Sequence, residues 1–446
     1  MIKKLLALLL CMSLLAVPAF ATEDETVVPP ANWAAPYLLE AESLELLDEA
    51  SMPRLYDIVS EDDMLAATEI VRSKLALLGL PLSDVPTDTA VVFDQSRGSV
   101  LETLAMLAED YEWGTEASGI DFLVELGIVK GDGLSLALER PCTLQEFYVL
   151  SARFVLACYD YAGAGSKGLL WKVTNEQNGA VLYLLGTYHV DMNNMYPLNA
   201  AIRAAMDASE KVYFELDMLD ESGLAEFVAL QFYPEGESLK DNISPALYAD
   251  VVALFGSMGA DEETVNSIKP WALSNTIDSL SYTDESTGVS LAVDMYLYLR
   301  AFVAAKEVGG IETFALQASV FDTLSPAYQE ELLAHAVYSA YNNADEGSEP
   351  VEVDLSLLIA WQAGDLAGFN ALMDKDAMLA EAEKYNDQLT FNLLTLRDPD
   401  MIESAAAFLQ APGSTTFLAV GSLHMVGTTG IVVALDDMGY TVEYLY

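Results

Sequence analysis

Two short motifs of the same form contain the residues best suited to chemistry. An apolar run at 180–185 leads into Gly186-Thr187-Tyr188-His189, and a second at 416–420 leads into Gly421-Ser422-Leu423-His424. Glycine lets the chain turn sharply or approach a ligand where a strand ends. The chain has only three histidines, so two in equivalent places indicate a functional site. We predict that both imidazoles bind a metal ion or transfer protons.

A third apolar run, 211–214, is predicted to be a strand and is followed by Glu215-Leu216-Asp217. Strand geometry predicts that Glu215 and Asp217 project to the same side, and ligand sites in α/β sheets gather at the carboxyl ends of strands. Two histidines and a carboxylate would form an open site for a divalent metal, with zinc, manganese and cobalt all compatible with nitrogen and oxygen ligands. The alternative is that these acids are ordinary strand-end carboxylates in a very acidic protein.

The hydroxyl residues of the two motifs, Thr187 and Ser422, are further candidates. They could orient a ligand or an oxyanion. The alternative is that they bond only to nearby backbone, as hydroxyl residues at strand ends commonly do.

Helices and strands must position these residues, and their pattern changes along the chain. Small and flexible residues at 163–168 predict a linker. Before it, residues 22–162 show helical periodicity, clearest at 64–78 and 144–157. After the linker, residues 169–446 show both helical and strand periodicity. Strands are predicted at 180–185, 211–214, 416–420 and 441–445, and helices at 198–208, 247–255, 293–306 and 330–341. We predict an α+β (mixed α/β) fold, a central sheet flanked by helices preceded by a mainly helical domain.

The first residues predict export. A basic start at Lys3-Lys4, an apolar run at 5–17 and Ala19-Phe20-Ala21 are typical of a signal peptide, residues 1–21, cleaved after Ala21. An uncleaved anchor is the alternative, but the run is short and acidic residues follow at once. No later apolar run is long enough to span a membrane, so we expect no transmembrane segment after cleavage. These features predict a secreted or cell-surface bacterial protein.

Composition limits the partners and the disulfides. With 69 acidic against 20 basic side chains, the formal charge is −49, which makes nucleic acid a poor partner. Cys142 and Cys158 remain after processing. Export permits a disulfide between them, and buried free thiols are the alternative.

Part of the helical region resembles a surface-layer homology module, which holds exported proteins on cell-wall polymers. The resemblance lies in residues 121–133 and in Thr143-Leu144-Gln145-Glu146, a helix start with an acid three residues after the cap. Leu144 stands where the module usually has arginine. The resemblance implies a cell-wall polymer as partner, and a plain helical packing domain is the alternative.

Residues 169–446 resemble the TraB/GumN family, to which the Tiki metalloproteases are related. The resemblance rests on the two Gly-x-x-His motifs and Phe214-Glu215, with further segments in the family order: Lys269-Pro270-Trp271, Asp294, Glu312-Thr313 with Gln317, Trp361-x-x-Gly364-Asp365 and Arg397-Asp398. Departures are Ile311, where leucine is usual, and Asp398, where asparagine is commoner. Neither departure is expected to touch a proposed ligand.

The resemblance implies a divalent metal held by His189, Glu215 and His424, and a peptide or protein substrate. Its secondary candidates are Asp294 and Glu312, for proton transfer or support of the ligands, together with the motif glycines Gly186 and Gly421, and Arg397. Salt-bridge roles are the alternative for the two acids.

These features predict a secreted or cell-surface metal-dependent hydrolase, above all a metallopeptidase. A non-catalytic protein that binds a peptide or wall component on the same fold is the alternative, since fold does not guarantee activity. A wall-associated structural component, working through its N-terminal region, is the third hypothesis.

Overall fold

The computed structural model describes residues 28–83, 92–129, 135–188, 194–282, 292–343 and 355–446. The predicted signal peptide and His189 lie outside the described residues. So does part of the stretch 121–133 that resembles a surface-layer homology module.

The described part of residues 28–162 is helical. Helices at 61–76 and 144–162 begin at Ser60 and Thr143. Ser60 forms a capping box with Asp63, and the backbone N–H of Thr143 donates to Glu146 Oε2 at 3.2 Å. The second ends at Gly163, whose positive φ of 63° closes the helix. The α-helices here are Ala35–Ser43, Glu61–Ala76, Arg97–Glu109, Gly119–Glu125 and Leu144–Ala162, with a 3-10 helix at Glu49–Arg54.

A six-stranded mixed sheet follows. Its strands are β1 Leu169–Asn175, β2 Ala180–Thr187, β3 Lys211–Phe214, β4 Glu307–Gly310, β5 Thr415–Gly421 and β6 Thr441–Tyr444, in the spatial order β4-β3-β5-β2-β1-β6. Strands β4, β3, β5 and β2 are parallel, whereas β1 and β6 are antiparallel to their neighbours. Four carboxyl ends therefore lie along one side of the sheet, which we call the carboxyl edge.

Helices flank the sheet, which confirms the predicted α+β fold. In the described residues after β2 they are Ala200–Ala208, Glu221–Leu230, Leu239–Asn242, Pro245–Ser257, Glu262–Ser267, Pro270–Tyr282, Val293–Val303, Phe314–Asp322, Pro326–Asn343, Ser356–Ala363, Leu366–Leu372, Lys375–Tyr385, Gln388–Thr395, Asp398–Phe408, Ser422–Met425 and Ile431–Asp437. Within the ranges that the structure covers, none of the helices combines the length and the apolar character needed to cross a bilayer.

The main hydrophobic core runs without interruption from the N-terminal helices to the sheet. It includes Leu38 and Phe154 from the helical region together with Leu184 and Val420 from the sheet. The predicted linker, 163–168, is hydrogen-bonded to the sheet region, where the backbone N–H of Ser166 donates to the Pro197 carbonyl at 3.0 Å. The two regions therefore share one packed interior.

Both cysteines among the described residues are buried free thiols. Burial raises the pKa of the Cys142 thiol to about 12. Cys142 and Cys158 therefore belong to the apolar packing, as the second of the two sequence alternatives held.

Candidate active site

The carboxyl edge brings Glu215 against the second Gly-x-x-His motif. Strand β3 pairs with β5 so that Phe214 lies opposite Ala419, two residues before Gly421. Glu215, the next residue after β3, accepts a hydrogen bond at Oε1 from the backbone N–H of Gly421 at 2.7 Å. The parallel register thus fixes one oxygen of Glu215 at the start of the motif that carries His424.

The two motifs also contact each other. Strands β2 and β5 pair with Thr187 opposite Gly421, and the Ser422 hydroxyl donates to the Thr187 carbonyl at 2.9 Å. A Cβ on Gly186 would lie 2.9 Å from Ser422 Oγ and 3.1 Å from its Cα, so glycine is needed for this approach. Ser422 therefore bonds to backbone, whereas Thr187 Oγ1 is buried and has no hydrogen-bond partner among the described residues.

Trp361 contacts the described residues of the first motif. Its indole Nε1 donates to the Gly186 carbonyl at 2.8 Å, and its ring lies 6.1 Å from that of Tyr188. The side chain is fully buried. This contact gives the Trp361-x-x-Gly364 segment a structural role, because Gly364, with a φ of 67°, ends the helix that presents the indole.

Arg397 joins Glu215 to a second carboxylate, Glu312. Its Nη2 donates to Glu215 Oε2 and to Glu312 Oε2, each at 2.5 Å, and its Nε lies 3.0 and 2.9 Å from the two Glu312 oxygens. Gln317 Nε2 also donates to Glu312 at 3.2 Å. Two carboxylates thus share one guanidinium, which leaves a formal charge of −1 that favours a bound cation.

Burial shifts the pKa values of Glu312 and Arg397. It raises the pKa of Glu312 above its ordinary value, although the charge and hydrogen bonds of Arg397 oppose it. For Arg397, burial alone would lower the pKa, but the two carboxylates raise it above the usual value. The guanidinium therefore stays charged and holds Glu215 in place.

His424 is held by a chain of two buried charges. Its Nδ1 lies 2.7 Å from Asp398 Oδ1, and Asp398 Oδ2 accepts a hydrogen bond from Lys375 Nζ at 2.5 Å. Burial alone would raise the pKa of Asp398, but the hydrogen bond to His424 and the charge of Lys375 hold that pKa below its usual value. A carboxylate on one imidazole nitrogen orients the ring and leaves Nε2 as the nitrogen for a ligand or a proton.

Glu215 and His424 fit the donors that a divalent metal requires. Each is fixed by outer hydrogen-bond partners, as ligands of protein-bound metals are. In the described ranges, no three His, Cys, Asp or Glu side chains gather closely enough to hold a metal ion. His189, the third predicted ligand, is not among those residues.

The remaining predicted candidates are the acids Asp217 and Asp294. Asp217 accepts hydrogen bonds from Tyr298 Oη at 2.8 Å and from the Leu219 N–H at 3.0 Å, so it has different partners from Glu215. Strand β3 ends at Phe214, before both acids, and strand alternation therefore does not apply to them. Asp294 lies in the first turn of the helix Val293–Val303.

One expectation about the departures from the family pattern is wrong. Asp398 does touch a proposed ligand, because its carboxylate binds the ring of His424. The sequence signal was its position directly after Arg397. Lys375 gave no signal, since it lies 49 residues before His424 and follows no motif spacing.

Several known proteins are similar in sequence to this chain. Metalloprotease TIKI1 of Danio rerio is 23% identical over 316 residues, which cover 62% of this chain and 62% of that protein. Metalloprotease TIKI2 of Danio rerio is 24% identical over 324 residues, 62% and 60% of the two chains, and human metalloprotease TIKI1 is 23% identical over 321 residues, 62% and 61%. The chain thus spans about three fifths of the length of the curated relatives that it matches.

No solved structure matches the chain. Residues 169–444, which contain the whole sheet and the carboxyl edge, match the TraB/PrgY/gumN family. The chain therefore belongs to the TraB/PrgY/gumN family.

Proposed function

We propose that this protein is a secreted or cell-surface metal-dependent hydrolase, a metallopeptidase, in which His189, Glu215 and His424 hold a divalent metal. The observation that carries the proposal is the hydrogen bond from the Gly421 N–H to Glu215, which joins the acidic strand end to the second Gly-x-x-His motif. The pairing of β2 with β5 puts Thr187, the second residue of the first motif, opposite the same glycine. The relatives named metalloproteases support the same reaction class.

The chain's own residues would prepare the site before any substrate arrives. Arg397 holds Glu215 through a hydrogen bond from its guanidinium, and Asp398 keeps the His424 ring in one orientation. When bound, a divalent metal would polarise the substrate carbonyl and lower the pKa of its bound water toward neutrality. Zinc, manganese and cobalt all suit imidazole and carboxylate donors.

Metal binding by the mature protein, residues 22–446, tests the ligand set. Titration calorimetry with Mn²⁺, Co²⁺ and Zn²⁺ should show tight binding to the wild type. Loss of an outer partner alone typically costs about 10–100-fold in metal affinity, so His189→Ala, Glu215→Gln and His424→Ala should each cost more than about 100-fold. His335→Ala, on an exposed position of the helix Pro326–Asn343, is the matched control. Full metal binding by both His189→Ala and His424→Ala would contradict the proposal.

Cleavage of a peptide library separates the enzyme from the alternative binding protein. Metal-dependent release of fragments, abolished by Glu215→Gln, is the expected result. Tight binding of a peptide or wall component without any product would instead favour the non-catalytic protein on the same fold.

The proposal includes export and a place at the cell wall. A signal peptide cleaved after Ala21 would release the chain, and the N-terminal helices would bind a wall polymer as surface-layer homology modules do. The hydrogen bond from the Thr143 N–H to Glu146 supports the helix start of that module. Sedimentation of the mature protein with purified cell walls tests this part, and a protein that stays in the supernatant excludes it.

A further inference from the structure

We propose that Lys375 makes aspartate necessary at position 398. The Lys375 ammonium determines whether residue 398 presents a hydrogen-bond acceptor or a hydrogen-bond donor to His424. In this chain Lys375 and Asp398 act as a coupled pair. Together they hold the imidazole in the tautomer that carries its proton on Nδ1. The consequence for metal binding rests on the proposed function, whereas the tautomer itself is a property of the metal-free protein.

The geometry assigns one partner to each oxygen of Asp398. Oδ1 lies 2.7 Å from His424 Nδ1, and Oδ2 lies 2.5 Å from Lys375 Nζ. The Thr429 hydroxyl donates more weakly to Oδ2, at 3.4 Å. An ionised carboxylate only accepts hydrogen bonds, so the imidazole nitrogen facing Oδ1 must donate one. Nδ1 therefore carries the hydrogen, and Nε2 of the neutral ring keeps its lone pair.

Lys375 has little freedom to move away. Its side chain is 0% exposed and that of Asp398 is 3% exposed. The stem of Lys375 packs on Gly427, where an added Cβ would lie 3.0 Å from Lys375 Cδ and 3.1 Å from its Cβ. The ammonium, which can only donate, therefore remains against the same side of residue 398 in a variant.

An asparagine at 398 would have one accepting and one donating end. Beside the fixed ammonium of Lys375, its oxygen must face Lys375, and its NH₂ group must then face His424. Nδ1 would have to accept, which moves the imidazole hydrogen to Nε2 and removes the lone pair from the nitrogen proposed to bind the metal. A wrong tautomer forced by an amide is a recognised way to disable a histidine that a carboxylate orients.

Nitrogen NMR of the imidazoles tests this inference directly. The metal-free mature protein is labelled with ¹⁵N-histidine and measured at a pH at which the rings are neutral. The chain has three histidines, so His424 is assigned by its loss in His424→Gln, and the exposed His335 serves as an internal reference. The wild type should show His424 protonated on Nδ1, and Asp398→Asn should show it protonated on Nε2.

The double variant Lys375→Met/Asp398→Asn separates the role of Lys375 from that of Asp398. It contains neither buried charge, so it avoids the unpaired ion that either single variant would leave. Without the ammonium the amide can turn its oxygen to His424, and the Nδ1-protonated form should return in a substantial fraction. Asp398→Asn that keeps the wild-type tautomer, or a double variant identical to Asp398→Asn, overturns the inference.

Mn²⁺ titration of the same variants adds a second measurement. Asp398→Asn should weaken binding by about 10–100-fold, and the double variant should regain most of it. A wild-type protein that binds no metal but shows these tautomers would refute the proposed function and leave the inference standing. A wild-type protein that binds metal, with variants that keep its tautomer, would refute the inference and leave the proposed function standing.

Discussion

Arg397 is the residue on which the acidic side of the site depends. It is 4% exposed and lies between Glu215 and Glu312, which both bond to its Nη2. Two carboxylates at this depth would repel each other without it, and burial already raises the pKa of Glu312. The guanidinium fork suits this task better than a lysine would, because it donates to both acids in a fixed geometry.

Replacement of Arg397 by methionine should lower the free energy of unfolding by about 3–5 kcal/mol, since it leaves buried carboxylates without their counter-charge. Urea unfolding measures the change. Adding Glu312→Gln should recover part of the loss, because the pair is in contact and the effects are not additive. Arg72→Met, which removes an exposed ion pair with Asp110, is the control and should cost less than about 1 kcal/mol. Equal losses in the two single variants would contradict this role.

At the scale of elements, the sequence predicts much of the sheet and the side of it on which the motifs lie. The runs 180–185, 211–214, 416–420 and 441–445 correspond to β2, β3, β5 and β6, because their apolar, aromatic and β-branched residues favour strands. Strands β1 and β4 are not predicted. Strand β4 is Glu307–Gly310, four residues that end in two glycines, and only pairing with β3 makes it a strand.

The contacts of the candidate site are less predictable than its strands. Glu215 and the two motifs follow strands, so their place at one edge follows from sheet geometry. Asp398 and Lys375 lie on helices far from His424 in sequence, and their approach depends on how those helices pack on the sheet. Sequence periodicity does not specify that packing. Asp398 can therefore be identified as the partner of His424 only from the three-dimensional structure.

The close pairing of β2 and β5 makes a specific demand on Gly186. We expect Gly186→Ala to cost about 1–3 kcal/mol, because its Cβ would meet Ser422 backbone at 3.1 Å and force the two strand ends apart. Thermal unfolding and Mn²⁺ affinity should both fall. Gly256→Ala is the matched control, since a Cβ there meets nothing within 4 Å and alanine favours the helix Pro245–Ser257. A Gly186→Ala protein as stable as Gly256→Ala would show that the strand ends can separate freely.

At the scale of the whole molecule, a buried ion pair ties the N-terminal helices to the sheet region. Glu40, on the helix Ala35–Ser43, is 2% exposed and accepts a hydrogen bond from Tyr296 Oη at 2.7 Å. It also pairs with Arg300, which lies on the same helix as Tyr296 and bonds to Asp207 at 3.2 Å. Burial raises the pKa of Glu40, and the charge of Arg300 opposes that rise.

A shared core and this ion pair predict that the two regions unfold together. Glu40→Gln leaves Arg300 with less counter-charge and should lower the free energy of unfolding by about 3 kcal/mol. This value is near the lower end for a broken buried ion pair, because Asp207 still pairs with Arg300. Amide hydrogen exchange at increasing urea concentration measures the unfolding of the N-terminal helices and of the sheet region in one experiment. Protection of the helix Leu144–Ala162 and of β5 should be lost at the same urea concentration, and Glu40→Gln should shift both by the same amount. Glu102→Gln, an exposed acid on the helix Arg97–Glu109, should shift neither. If Glu40→Gln destabilised the helical region and left β5 unchanged, the N-terminal helices would be a separate domain that only rests on the sheet.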